Sequence, residues 1–146
     1  MPRGGQPGYP QDRKVYATWN KPIVVLCNQN SFSNAEIFVH AVKTLGRGPV
    51  VGVPTAGGVI SAMSIPIMDV GRLRVPYRGW FLLGNGEDMD LNGAVPDYVV
   101  WPRPDEMSQG RDEQLAKAIE VLQTEVEKWS RRPRPALRWA SQRERP

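Results

Sequence analysis

The chain has 146 residues, 40% of them hydrophobic, with five Trp, one Cys and a formal charge of +4. That length suits one domain with its own core and excludes several. No run reaches the ~18 apolar residues of a membrane-spanning helix, and the lone Cys27 excludes an intrachain disulfide or a thiolate metal cluster. The charge is not a nucleic-acid footprint either, because residues 128–146 hold seven Arg or Lys against one Glu, which leaves residues 1–127 at −2.

In chain order, residues 1–20 are rich in Gly and Pro at their start and read as an extended lead-in. The apolar run Ile23–Cys27 predicts a strand that buries an inert thiol. It ends in Asn28-Gln-Asn-Ser-Phe-Ser-Asn-Ala-Glu-Ile-Phe38, where small polar residues pass at once into an amphipathic helix over Asn34–Leu45, stopped by Gly46. In that helix Ile37, Phe38, Ala41, Val42 and Leu45 share one apolar arc, while Glu36, Val39, His40 and Lys43 face elsewhere. Val50–Val53 predicts a second strand. Strand, helix and strand make a right-handed βαβ unit of a parallel sheet, with Ser33 at its carboxyl edge, where α/β proteins place their sites.

Further on, Pro54-Thr-Ala-Gly-Gly-Val-Ile60 has a glycine pair that lets another backbone approach, without the Lys-Ser/Thr ending of a phosphate loop. Ile65–Val70 and Leu73–Tyr77 predict a hairpin around Asp69-Val-Gly71, with another strand at Gly79–Leu83. Gly84–Asp88 is a loop, Tyr98–Trp101 a strand, and Asp112–Lys128 a closing helix with Leu115, Ile119, Leu122 and Val126 on one side. Residues 128–146 read as a basic, flexible tail with Leu137 and Trp139 as docking residues.

Ser33-x-x-Glu36 supports two readings. One is a capping box that satisfies early helix amides. The other is a serine nucleophile at a helix N-terminus, where unpaired N–H groups and the helix dipole favour a developing oxyanion.

The ordered motifs add the nucleophile to the cap by resemblance, since the two roles need not exclude each other. Lys21-Pro-Ile-Val-Val-Leu-Cys-Asn28, Ser31–Phe38, Gly46–Gly52, Thr55–Ile60, Gly93-Ala-Val-Pro-Asp97 and Arg111–Leu115 together resemble the C-terminal processing and tricorn-type serine peptidases over residues 21–127. The resemblance implies an α/β, crotonase-like core, here its C-terminal half, hydrolysing peptide bonds without a cofactor or metal. It places the nucleophile on Ser33 and the oxyanion-stabilising amide on Asn34, and it implies a peptide or unfolded-protein substrate. Ser31 is the rejected competitor.

One branch of that family carries its lysine base in Thr-x-Gly-Lys. Here the position is Gly58, so the chain looks tricorn-like, a branch that uses histidine. The acidic support of that branch falls on Asp90, an Asp where Glu is usual. His40 is the only histidine, and seven helical residues put it roughly 10 Å from Ser33, beyond direct proton transfer at ~3 Å. The base is therefore expected on a missing N-terminal half, without which the chain is expected to be inactive. Gly57, Gly58, Val59 and Ile60 form the expected peptide wall, an extended substrate adding through main-chain hydrogen bonds.

Trp80, Phe81 and Trp101 offer apolar contacts to that missing half or to a second copy of the chain. Two other function classes stay open: an acyl-CoA enzyme on the same fold, and a non-catalytic interaction module with a basic arm.

Overall fold

The computed structural model describes residues 19–133 and Ala136; residues 1–18 of the lead-in, and Leu137 and Trp139 of the tail, lie outside the described residues. Three short strands, β1 (Val25–Cys27), β2 (Val50–Gly52) and β5 (Tyr98–Val99), form a parallel sheet in the order β1-β2-β5. Val25 stands opposite Val50, Cys27 opposite Gly52 and Val51 opposite Tyr98. Helix α1 (Asn34–Thr44) joins β1 to β2, as the βαβ pattern requires.

Side-chain alternation along the strands splits the core into two layers. Val25, Cys27 and Val50 pack with Val39 and Val42 of α1 and with Ala94. Val24, Val51 and Val100 pack with Ala118 and Val121 of the closing helix α2 (Glu113–Arg131). Each fully buried valine contributes about 1.5–3 kcal/mol, so a sheet of three short strands is held mainly by its two helices.

Both helices bury a face shifted from their predicted apolar arcs, of which Val42 in α1 is buried as expected. In α1 the inward line is Glu36, Val39 and Val42, whereas Phe38 and Leu45 are exposed. A carboxylate can occupy the inner face because its partners, described below, satisfy it. In α2 the small Ala118 and Val121 meet the sheet, while Leu115, Ile119 and Val126 stay about half exposed. Lys128–Arg131, expected in a flexible tail, are the last turn of α2.

The hairpin is longer than expected, with β3 (Ile60–Ile67) and β4 (Gly71–Gly79) paired antiparallel around Met68–Val70 and an irregularity between Ser61 and Ala62. Because β4 runs to Gly79, no strand forms over Gly79–Leu83. Instead Phe81 bridges Asp88 around the turn at Gly84-Asn-Gly86. One hairpin face carries Met63, Ile65 and Leu73, all substantially exposed.

Candidate active site

Ser33 sits between a tight turn and α1. The turn is closed by Ser31 N–H to the Asn28 carbonyl at 2.8 Å, Asn28 N–H to Ser31 Oγ at 3.1 Å and Asn30 N–H to Asn28 Oδ1 at 2.9 Å. Ser31 is thereby a turn residue. Ser33 has φ 57° and ψ −114°, a conformation L-residues avoid and one that costs of order 1–3 kcal/mol. The capping-box pairing with Glu36 is in place, but only its Glu36 half has hydrogen-bond geometry. Ser33 N–H donates to Glu36 Oε1 at 3.0 Å, whereas the Ser33 hydroxyl makes no cap hydrogen bond.

The next amide, Asn34 N–H, has no acceptor among the described residues, while Glu36 and Ile37 N–H both reach the Ser33 carbonyl. An exposed helix N-terminus with an unmatched amide beside a hydroxyl is the geometry that steadies an oxyanion.

Glu36 is fully buried and accepts four hydrogen bonds. Besides Ser33 N–H, its Oε1 takes Gly58 N–H at 2.8 Å, and its Oε2 takes Thr55 Oγ1–H and Gly57 N–H, each at 2.6 Å. Burial opposes ionisation, but the Thr55 hydroxyl and the Gly58, Gly57 and Ser33 amides outweigh it and hold this carboxyl below its ordinary value. Thr55 Oγ1 in turn accepts Ala94 N–H at 2.8 Å, so the Gly93-Ala94 segment joins the same network.

These bonds narrow the expected peptide wall. Gly57 and Gly58 donate their N–H groups to Glu36, and the Gly57 carbonyl accepts Leu91 N–H at 2.8 Å, so Gly57 is not open to a substrate strand. Val59 is buried in the core and Ile60 is partly exposed. The open main chain lies further along β3. Pro66 pairs with Arg72, and Pro76 with Ala62. Proline has no N–H, so both are non-hydrogen-bonded pairs, and the backbone groups of Ala62 and Ser64 must point away from β4.

The Leu91–Gly57 bond brings Asp90 alongside the glycine segment. The Asp90 amide donates to Asp88 Oδ1 at 3.0 Å, and the residue is partly buried. His40 lies on α1 with Nε2 3.4 Å from the Asn92 carbonyl, which gives it a place against the 88–93 loop. Cys27 Sγ–H donates to the Val53 carbonyl at 3.3 Å, and burial pushes its thiol above the ordinary value, consistent with an inert role. Among the described residues there is no cluster of three or more metal-ligating side chains.

The chain matches the model of peptidase family S41 over residues 3–100. It belongs to that family. Tricorn protease homolog 1 of Streptomyces coelicolor is 37% identical over 139 residues, which is 94% of this S41 chain but 13% of that protein. The crystal structure of the tricorn protease aligns at 27% identity and TM-score 0.66, covering 73% of this chain and 10% of the other. Mature CPAF complexed with lactacystin shares the fold, with TM-score 0.68 at 22% identity over 77% of this chain and 22% of that one.

Lys43, expected on an outer face of α1 and too far along it to serve Ser33, spans from α1 to the Pro96-Asp97 turn of this S41 chain. Its Nζ donates to the Val95 carbonyl at 2.7 Å and to Asp97 Oδ1 at 2.6 Å. Asp97 Oδ2 also accepts Val50 N–H at 2.8 Å, which explains the carboxylate in Gly93-Ala-Val-Pro-Asp97 as an anchor of the turn to β2. Thr55 and the reach of Glu36 beyond its own helix are the site features that sequence reading missed. The signal for them was an acid in the capping position of a helix that must pack on a sheet.

Proposed function

We propose that this chain is the nucleophile-bearing part of a serine peptidase core of the crotonase-like kind, with Ser33 attacking a peptide carbonyl. The observation that carries the reading is the strained Ser33 backbone at a strand–turn–helix junction, with the unmatched Asn34 N–H beside it. In this mechanism Ser33 Oγ adds to the carbonyl carbon while a base removes its proton. Asn34 N–H donates to the resulting oxyanion. Collapse expels the amine, which takes that proton, and water then hydrolyses the acyl-enzyme.

The base comes from outside the 146 residues. His40, the chain's one histidine, is turned to Asn92, and serine at its ordinary pKa is a weak nucleophile. On this reading the chain alone hydrolyses peptides negligibly. The outer edge of β1, which among the described residues pairs only with β2, receives the missing half of the catalytic domain. Asp90 supports the completed site from the loop beside Gly57, and the substrate is an extended peptide running along the Ile60–Ser64 edge of β3. A second copy of the chain is the alternative occupant of the exposed Trp80, Phe81 and Trp101 surface.

The test is to add a histidine-bearing upstream segment of a tricorn homologue to the chain and follow hydrolysis of a fluorogenic peptide. Activity that needs both parts and disappears in Ser33→Ala is expected. Hydrolysis by the 146-residue protein alone, or activity that survives Ser33→Ala, overturns the reading.

A further inference from the structure

Glu36 is unusual among the groups around Ser33 because it is a buried anion with no cation against it among the described residues. Four neutral donors occupy its two oxygens: Ser33 and Gly58 N–H on Oε1, and Thr55 O–H and Gly57 N–H on Oε2. They come from two segments distant in sequence, the turn that carries the nucleophile and the segment that follows β2. A helix cap alone explains only the first of them. The other three reach 19 to 22 residues along the chain, so the carboxylate works as a clamp between the two segments.

The clamp fixes three features at once. It holds the Ser33 amide in the orientation that goes with φ 57°. It turns the Gly57 and Gly58 N–H groups inward, which removes them as oxyanion or substrate donors. With the Gly57 N–H turned in, its carbonyl receives Leu91 N–H, and Asp90 is carried next to the site. Gln has nearly the same shape and cannot replace it. One of its two terminal groups would be an NH₂ facing donors already aimed at an acceptor, and a buried donor without a partner costs as much as a lost hydrogen bond or more.

We propose that Glu36 is a positioning residue for the Ser33 nucleophile, holding its strained backbone against the Thr55–Gly58 segment and leaving Asn34 as the oxyanion donor. This rests on the reading of Ser33 as a nucleophile.

The test uses the 146-residue chain completed by the histidine-bearing upstream segment, its Glu36→Gln, Thr55→Ala and Thr55→Ser variants, and Ser33→Ala as the blank. A fluorophosphonate probe forms a Ser33 Oγ–phosphorus bond with release of fluoride, and its rate is measured per folded molecule, well below the melting temperature. Protection of the Ser33, Gly57 and Gly58 amides against hydrogen exchange is measured in parallel. The expected result for Glu36→Gln is at least a tenfold loss of protection at all three amides and at least a tenfold slower labelling, with helix content kept. Thr55→Ser should restore what Thr55→Ala loses.

A variant that only melts earlier, with labelling and the three amides unchanged while folded, assigns Glu36 a purely structural role and overturns the proposal. If Glu36→Gln does not fold, the Thr55 pair decides, and failure of Thr55→Ser to rescue Thr55→Ala counts against the clamp. Labelling of the wild type no faster than Ser33→Ala sinks the nucleophile reading instead, and the amide protection still decides whether the clamp exists.

Discussion

The Phe32 ring stands in the space that a Cβ on Gly58 would occupy. Phe32 immediately precedes Ser33, so the two segments that Glu36 joins by hydrogen bonds also touch through this ring. The position at which one branch of the family carries its lysine is therefore taken here by an exposed phenyl ring, which a side chain there would have to displace. Gly58→Lys is expected to displace Phe32 and leave Ser33 no more reactive toward a fluorophosphonate. Gly58→Ala should cost about 1–3 kcal/mol, and the cost should shrink in a Phe32→Ala background, as a double-mutant cycle by urea unfolding would read. Equal costs in the two backgrounds would place the strain elsewhere.

Gly93 is the stricter case. A Cβ there would run into the Thr55 carbonyl, which is backbone and cannot swing aside as a phenyl ring can. Thr55 also exchanges hydrogen bonds with Ala94, its N–H donating to the Ala94 carbonyl at 3.1 Å. Gly93→Ala should accordingly destabilise more than Gly58→Ala, by about 3 kcal/mol or more, and expose Thr55 and Gly57 amides to exchange. A melting temperature within a degree of wild type would refute this.

The βαβ unit, the closing helix and the Ser33 junction were legible because each has a strong local signature: an apolar run, a helical period and a cap. The faces of the helices were not. Apolar periodicity favoured Phe38 and Leu45 alongside Val42, yet of these the sheet accepts Val42 and pairs it with Val39 from outside the arc, and in α2 it accepts Ala118 and Val121. Close approach of helix to sheet selects small and β-branched side chains, which a count of large apolar residues overlooks. The Glu36 clamp was equally hidden, since three of its four donors lie far along the chain.

The small inward face of α2 can be tested directly. Val121→Ala removes buried methyl groups and should cost about 1.5–2.5 kcal/mol, whereas Ile119→Gln on the half-exposed face should stay within about 0.5 kcal/mol. Urea unfolding of both variants reads the difference. Ile119→Gln as the more damaging change would mean that α2 packs on the sheet through its large apolar arc.

Two carboxylates should set the acid limit of stability. Burial opposes ionisation of Asp97, but the Lys43 ammonium and the Val50 amide hold its value below the ordinary range, and Glu36 is lowered by its four donors. Each folded value lies below the unfolded one, so the unfolded chain binds protons more readily. The stabilisation is complete above the ordinary values near about 4 and is lost as pH falls through the lowered ones. Stability measured by urea should be flat from pH 6 to 8 with respect to these groups and drop below about pH 4.5. Asp97→Asn should flatten part of that drop and cost only about 0.5–1 kcal/mol at pH 7, because the Lys43–Asp97 pair is substantially exposed. An unchanged acid limb in Asp97→Asn would remove Asp97 from this account.

The two prolines of the hairpin make the peptide-edge proposal testable without disturbing the fold. Pro66 and Pro76 occupy non-hydrogen-bonded pairs, so a proline at Ser64, which has the same parity as Pro66, removes an outward N–H and spares the ladder between β3 and β4. Met63 has the opposite parity, so a proline there takes away a ladder donor. Ser64→Pro should keep the hairpin and raise the KM of the completed enzyme for an extended peptide about tenfold with kcat little changed, the signature of a lost binding contact. Met63→Pro should instead unravel the hairpin itself, seen as loss of its cross-strand amide protection. Unchanged KM in a Ser64→Pro enzyme would show that substrate does not pair with β3 and move the binding wall away from the hairpin edge.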